Sequence, residues 1–103
     1  DYHFQRGALL AALGEEPELI VAEYEKAVQL DPRHQNALFR LALENDRAGN
    51  DDTACDLYER STQRFPPHLG SLLNLGVLYE DREQYSKAAQ CYLRILAIDP
   101  EQP

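Results

Sequence analysis

The chain has 103 residues, 44% of them hydrophobic and 27% charged, and a net charge of −8. This is enough chain for one domain and too apolar a composition for disorder. Its 10 basic residues are scattered among 18 acidic ones, so the segment lacks the clustered Lys and Arg that a phosphate backbone requires, and no apolar run approaches the roughly 18 residues of a membrane span.

The apolar spacing predicts helices over Tyr2–Leu13, Pro17–Leu30, Gln35–Ala48, Asp51–Arg64, Leu69–Arg82 and Gln84–Ile98. The first carries Gly7, Leu10 and Gly14, and the turn GEEPEL after it places Pro17 at a first helical position, where proline is tolerated. The second carries Tyr24 and Ala27 and stops before Asp31-Pro32, because proline lacks the N–H and clashes with the preceding turn. The third holds Leu38, Leu41, Ala42 and Asn45. Gly49-Asn50 turns the chain, and Asp51 or Asp52 is placed to cap the fourth helix. That helix holds Ala54 and Tyr58. The fifth and sixth share the stretch LGSLLNLGVLYEDREQYSKAAQCYLRILAIDP, with Leu72, Leu75, Gly76, Tyr79, Ala88, Tyr92 and Asp99-Pro100.

A shift of 34 positions carries Leu72 to Leu38, Leu75 to Leu41, Gly76 to Ala42, Ala88 to Ala54, Tyr92 to Tyr58 and Pro100 to Pro66. A second shift reaches Tyr24, Ala27 and Asp31-Pro32, while Gly7 stands one residue early, so the first turn carries one extra residue. The spacing of Leu75, Gly76 and Tyr79, then Ala88 and Tyr92, then Pro100 resembles the tetratricopeptide repeat pattern. The resemblance covers nearly the whole chain and implies an all-α solenoid. Three antiparallel helix hairpins, at about residues 1–34, 35–68 and 69–102 of a single domain, wind into a right-handed superhelix. The resemblance further implies that the first helix of each pair lines a concave groove.

That resemblance also assigns groove-facing positions. They are Asn36, Phe39, Arg40, Leu43, Asp46 and Arg47 in the second repeat, and Gly70, Leu73, Asn74, Val77, Glu80 and Asp81 in the third. The shifted first repeat offers Phe4, Gln5, Ala8, Ala11 and Ala12. Phe39 with Leu43, and Leu73 with Val77, lie one turn apart on a shared helical face. The functional reading is an apolar strip flanked by Arg40, Arg47, Asn36 and Asn74, suited to an extended peptide or an amphipathic helix. The structural alternative is that the same apolar side chains pack between neighbouring first helices. Chaperone-binding members of the family grip a terminal carboxylate with Lys, Asn and Arg residues. The matching positions here are Phe4, Ala8, Arg40, Gly70 and Asn74, which depart from that set and argue against the clamp.

Enzymatic chemistry is not expected. Ser61, Ser71 and Ser86 lie in no nucleophile elbow, and no phosphate loop or dinucleotide fingerprint is present. Glu15-Glu16 and Asp51-Asp52 sit at helix starts, where carboxylates act as dipole partners. His34 and His68 stand one repeat apart, too far to share a metal, and with His3 they read as loop or surface residues. Cys55 and Cys91 read as reduced thiols, as in a cytoplasmic protein. No cofactor or metal is expected, and the implied partner is a protein or peptide. Asn45 occupies the place of Tyr79, facing the hairpin, and must bond to backbone or loop.

The last helix is apolar almost all round, and Leu93 and Leu96 are expected to meet a following helix or a second copy of the chain. The sequence opens on Asp1 and contains no Met, which reads as part of a longer protein. The wording of 78–100 also resembles tetratricopeptide arms of bacterial proteins that continue into a domain like the C-terminal domain of the RNA polymerase α subunit. No functional motif of that domain lies in these residues.

Overall fold

A computed structural model of the chain describes residues 2–98. Among them are six helices and no strand: α1 (Tyr2–Ala12), α2 (Pro17–Leu30), α3 (Gln35–Arg47), α4 (Asp51–Ser61), α5 (Leu69–Asp81) and α6 (Tyr85–Ile98). The expected Asp99-Pro100 stop lies outside the described residues. Each substantial helix–helix interface joins neighbours in sequence, so α1–α2, α3–α4 and α5–α6 form hairpins linked through α2–α3 and α4–α5. This is the all-α solenoid that the repeat spacing implies.

The turns follow the local chemistry. Pro17 opens α2, and Gly14 and Gly49 adopt φ of +72° and +83°, a region where a Cβ is strained. The N-cap of α4 is Asn50, not Asp51 or Asp52, and its side chain makes no cap bond. Both aspartates instead sit in the first turn, where the helix dipole favours them, and Asp52 accepts from Arg82 at 2.7 Å. The fourth helix also ends three residues earlier than the spacing predicts. Ser61 and Thr62 hydroxyls donate back to the carbonyls of Tyr58 (2.8 Å) and Glu59 (2.7 Å). Gln35 Nε2 takes the Ser61 carbonyl at 3.0 Å and Arg94 Nη2 takes that of Thr62 at 3.0 Å. Side chains from the same hairpin (Gln35) and from the next repeat (Arg94) thus satisfy the helix-end carbonyls, so no further turn is needed. Asn45 bonds as expected: Nδ2 donates to the Leu41 carbonyl at 2.9 Å, and Oδ1 accepts from Asn50 Nδ2 at 3.3 Å.

Inside each hairpin a tyrosine of the second helix faces a small residue of the first. Tyr24 and Tyr58 are fully buried, and a Cβ built on Gly7 would come within 2.7 Å of the Tyr24 ring. Gly76 stands against Tyr92 in the same way, at 2.6 Å, and Ala42 holds that place in the second hairpin. The first hairpin differs in one inner pair. Where the others place Leu38 with Leu57 and Leu72 with Cys91, it places His3 with Glu23. The His3 Nδ1 lies 2.8 Å from Glu23 Oε2, and Glu23 is only 7% exposed. The hydrogen bond from His3 holds the Glu23 carboxyl below the usual carboxylate range, with Lys26 and Arg6 adding to it. His3 is therefore an interior partner rather than the loop or surface residue that its place near the chain start suggests.

The Gly7→Ala substitution tests the tyrosine packing. The added methyl has to displace a fully buried ring, which costs about 1–3 kcal/mol, while the helix gains about 1 kcal/mol of propensity. A net loss of about 1 kcal/mol in urea unfolding is expected. Gly76→Ala is expected to cost less, because Tyr92 is half-buried at the end of the stack and its ring can shift.

Candidate functional site

The residues expected to form the groove divide into two sets. Leu73 and Val77, one turn apart on α5, are 51% and 46% exposed. Asn36, Arg40 and Arg47 on α3 are also exposed, and Arg47 pairs with Glu44 at 3.5 Å. Phe39, Leu43 and Asn74 are half-buried and partly engaged in structure. The Phe39 ring stacks on His68, centroids 4.6 Å apart and 26° between planes, and lies 6.1 Å from Tyr58. Phe39 thus serves the structural reading, whereas Leu73 and Val77 remain open to a partner.

His34 and His68 are not plain loop residues. Each is the N-cap of a first helix, its Nδ1 accepting from the backbone N–H three residues on: Ala37 at 3.0 Å and Ser71 at 3.1 Å. Each ring also packs on the phenylalanine of the preceding repeat, Phe4 at 5.0 Å for His34 and Phe39 for His68. One side chain therefore satisfies an orphan N–H of its own helix and joins that helix to the one before. The 34-residue recurrence of His was a visible signal, and so was the recurrence of Phe4 at Phe39. Neither type is a common cap, so the sequence alone did not join them.

Tyrosine hydroxyls reach the groove from below. Asn74 Nδ2 donates to the Tyr58 hydroxyl at 3.2 Å, and that hydroxyl donates to Asp46 Oδ2 at 3.3 Å. This relay ties α3, α4 and α5 together, and burial pushes the Tyr58 phenol up to about 12. The Tyr92 hydroxyl donates to Glu80, and this bond pushes its phenol up to about 12 as well. The Tyr24 hydroxyl is buried and has no hydrogen-bond partner among the described residues. In the register that pairs Gly7 with Ala42, the place of Asp46 and Glu80 is taken by Ala11, and the place of Asn74 by Arg40.

The last helix buries only Ala88 and Cys91, and Leu93 and Leu96 are 63% and 45% exposed. Their register separates them. Leu96 corresponds to Thr62 and Val28, both buried at 6% and 9% where another first helix follows. Leu93 corresponds to Glu59 and Glu25, both exposed, and Glu59 still reaches the following first helix by accepting from the Tyr79 hydroxyl.

Two measurements check these bonds. Tyr58→Phe breaks a relay and is expected to destabilise by about 1 kcal/mol, while Tyr24→Phe removes an unpaired hydroxyl and is expected to be neutral or stabilising in thermal unfolding. Burial, reinforced by Arg40, lowers the His68 pKa below its unfolded value of about 6.5. The unfolded chain therefore takes up a proton that the folded cap resists. Stability is full above about 6.5 and falls as the pH drops from there towards the lower folded value. A smaller loss between about pH 7.5 and 5.5 is expected for His68→Asn, whose amide caps without titrating.

Comparison with known proteins places this architecture. Tetratricopeptide repeat models match residues 36–68 and 71–102, together well over half of the chain. Anaphase-promoting complex subunit 3 of Schizosaccharomyces pombe is 28% identical over 85 residues, covering 82% of this chain and 13% of that protein. Human protein O-mannosyl-transferase TMTC3 is 30% identical over 77 residues, covering 74% of this chain and 8% of its own length. The chain thus spans a small part of either relative. Two crystal structures of MamA share the fold, with TM-scores of 0.83 and 0.78 at 21% and 20% identity, over 95% and 92% of this chain and 57% and 51% of theirs. The likeness to bacterial arms that precede a polymerase α-like domain finds no support among these matches. With two consecutive repeats matched and the hairpin stack in place, the chain belongs to the tetratricopeptide repeat family.

Proposed function

We propose that the concave face of α1, α3 and α5 binds a segment of a partner protein, as an extended peptide or an amphipathic helix. Tetratricopeptide repeats serve in general as protein–protein interaction modules. The observation that carries the reading is Leu73 and Val77, two exposed apolar side chains one turn apart on α5, with Phe39 and Leu43 half-buried on α3. Apolar anchors in a groove supply affinity, and flanking polar groups fix register. Asn36, Arg40 and Asn74 are placed for the second task. The protein acts here without catalysis, nucleic acid, membrane or cofactor. The free, buried thiols of Cys55 and Cys91 accord with a cytoplasmic setting.

A second reading rests on Leu96. It replaces residues that are buried wherever another repeat follows, so this face suits a further helix or a second copy of the chain in a homodimer or spacer arm. Leu93 stands to its side.

Peptides selected on the wild-type protein from a randomised display library separate the readings. Leu73→Asp with Val77→Asp is expected to weaken them by about tenfold or more while changing stability by less than about 0.5 kcal/mol, because both side chains are exposed. Unchanged binding would remove the groove. A monomer in light scattering at high concentration would count against self-association, and a dimer dissociated by Leu96→Glu would support it.

A further inference from the structure

Three tyrosines recur at one place in the repeats, and two of them share a bonding rule. The Tyr58 hydroxyl donates to Asp46, and the Tyr92 hydroxyl donates to Glu80. Each acid comes from the last turn of the first helix in the same hairpin. The first hairpin breaks the rule, because Ala11 stands where the acid should be. Among the described residues the Tyr24 hydroxyl is left buried with no hydrogen-bond partner, while the residue is 1% exposed. A buried unpaired hydroxyl is costly, and each one in a folded protein calls for a reason.

The surroundings name the missing group. Asn74, which donates to Tyr58 from the next repeat, is replaced by Arg40; burial pushes the Tyr24 phenol up, Arg40 opposes this and Glu44 adds to it. Arg40 is exposed and forms no ion pair among the described residues, whereas Glu44 lies 3.5 Å from Arg47. A neutral donor has thus become a cation at the same point where an internal carboxylate has become a methyl group. Building on the groove reading above, we infer that a carboxylate of the bound partner takes the place of the missing acid. It pairs with Arg40 and accepts from the Tyr24 hydroxyl over Ala11. A guanidinium and a phenol converging on one carboxylate form charge-assisted bonds of the stronger kind. The hydroxyl is buried, so admitting the group requires side chains above it to move.

The test uses a randomised peptide library in two forms, one with free and one with amidated C-termini. Wild-type protein is expected to enrich Asp or Glu at a fixed place in both forms if the acid is a side chain, and only free-ended peptides if it is the C-terminus. Arg40→Gln and Tyr24→Phe are each expected to weaken a selected peptide by about tenfold. Neither should weaken the same peptide once its acid is replaced by the amide. Ala11→Asp restores the internal acid, so it is expected to raise the melting temperature and weaken the acidic peptide. Selected peptides with no acid preference, or ones indifferent to Arg40→Gln, would overturn the subsite and leave the groove standing. A library that yields no binder would remove both. A Tyr24→Phe protein destabilised as much as Tyr58→Phe would show the hydroxyl already satisfied, which also overturns the subsite.

Discussion

The structure depends on the contact between a tyrosine ring and the small residue facing it across each hairpin. Tyr24 lies on Gly7 and Tyr92 on Gly76, so closely that a single methyl group would collide with either ring. Ala42 keeps the same place beneath the level of Tyr58. This contact fixes how near the two helices come and which way the ring points. Because the ring spans the hairpin, its hydroxyl emerges towards the first-helix face. A packing rule of the core therefore decides what polar atoms underlie the groove.

Links between hairpins are built on the same side. Asn74 and Asp46 meet on the Tyr58 hydroxyl, and His68 caps α5 while stacking on Phe39 of α3. His34 does the same between α3 and Phe4. Both kinds of link use residues that line the groove floor, so the groove is stiffened by the interactions that stack the repeats. A preorganised groove loses less conformational freedom when a partner docks. In the proposed function, the exposed residues left above this floor, Leu73, Val77 and Arg40, are the ones whose contacts a partner completes.

Much of this was legible in the sequence. The period of 34 residues, the shifted first repeat and the proline stops placed all six helices within a few residues, because they are set by local chemistry and apolar spacing. The Asn45 bonds also followed, since a polar side chain at an inner place must find partners. The caps were harder. Asp51 and Asp52 have the usual capping chemistry, yet the cap falls to Asn50, and the caps of α3 and α5 are histidines whose roles depend on rings from another repeat. The pairing of His3 with Glu23 joins residues 20 positions apart and shows only when the register is read across hairpins. For the groove, spacing put Phe39 and Leu73 on equal terms. Only burial separates the stacked ring of Phe39 from the exposed side chain of Leu73.

In the proposed function the first helices form the partner surface. Amide hydrogen exchange of the protein, free and saturated with a selected peptide, measures this directly. Added protection on α1, α3 and α5, strongest around Leu73 to Val77, is the predicted result. Protection concentrated on α6 around Leu96, with the first helices unchanged, would contradict it.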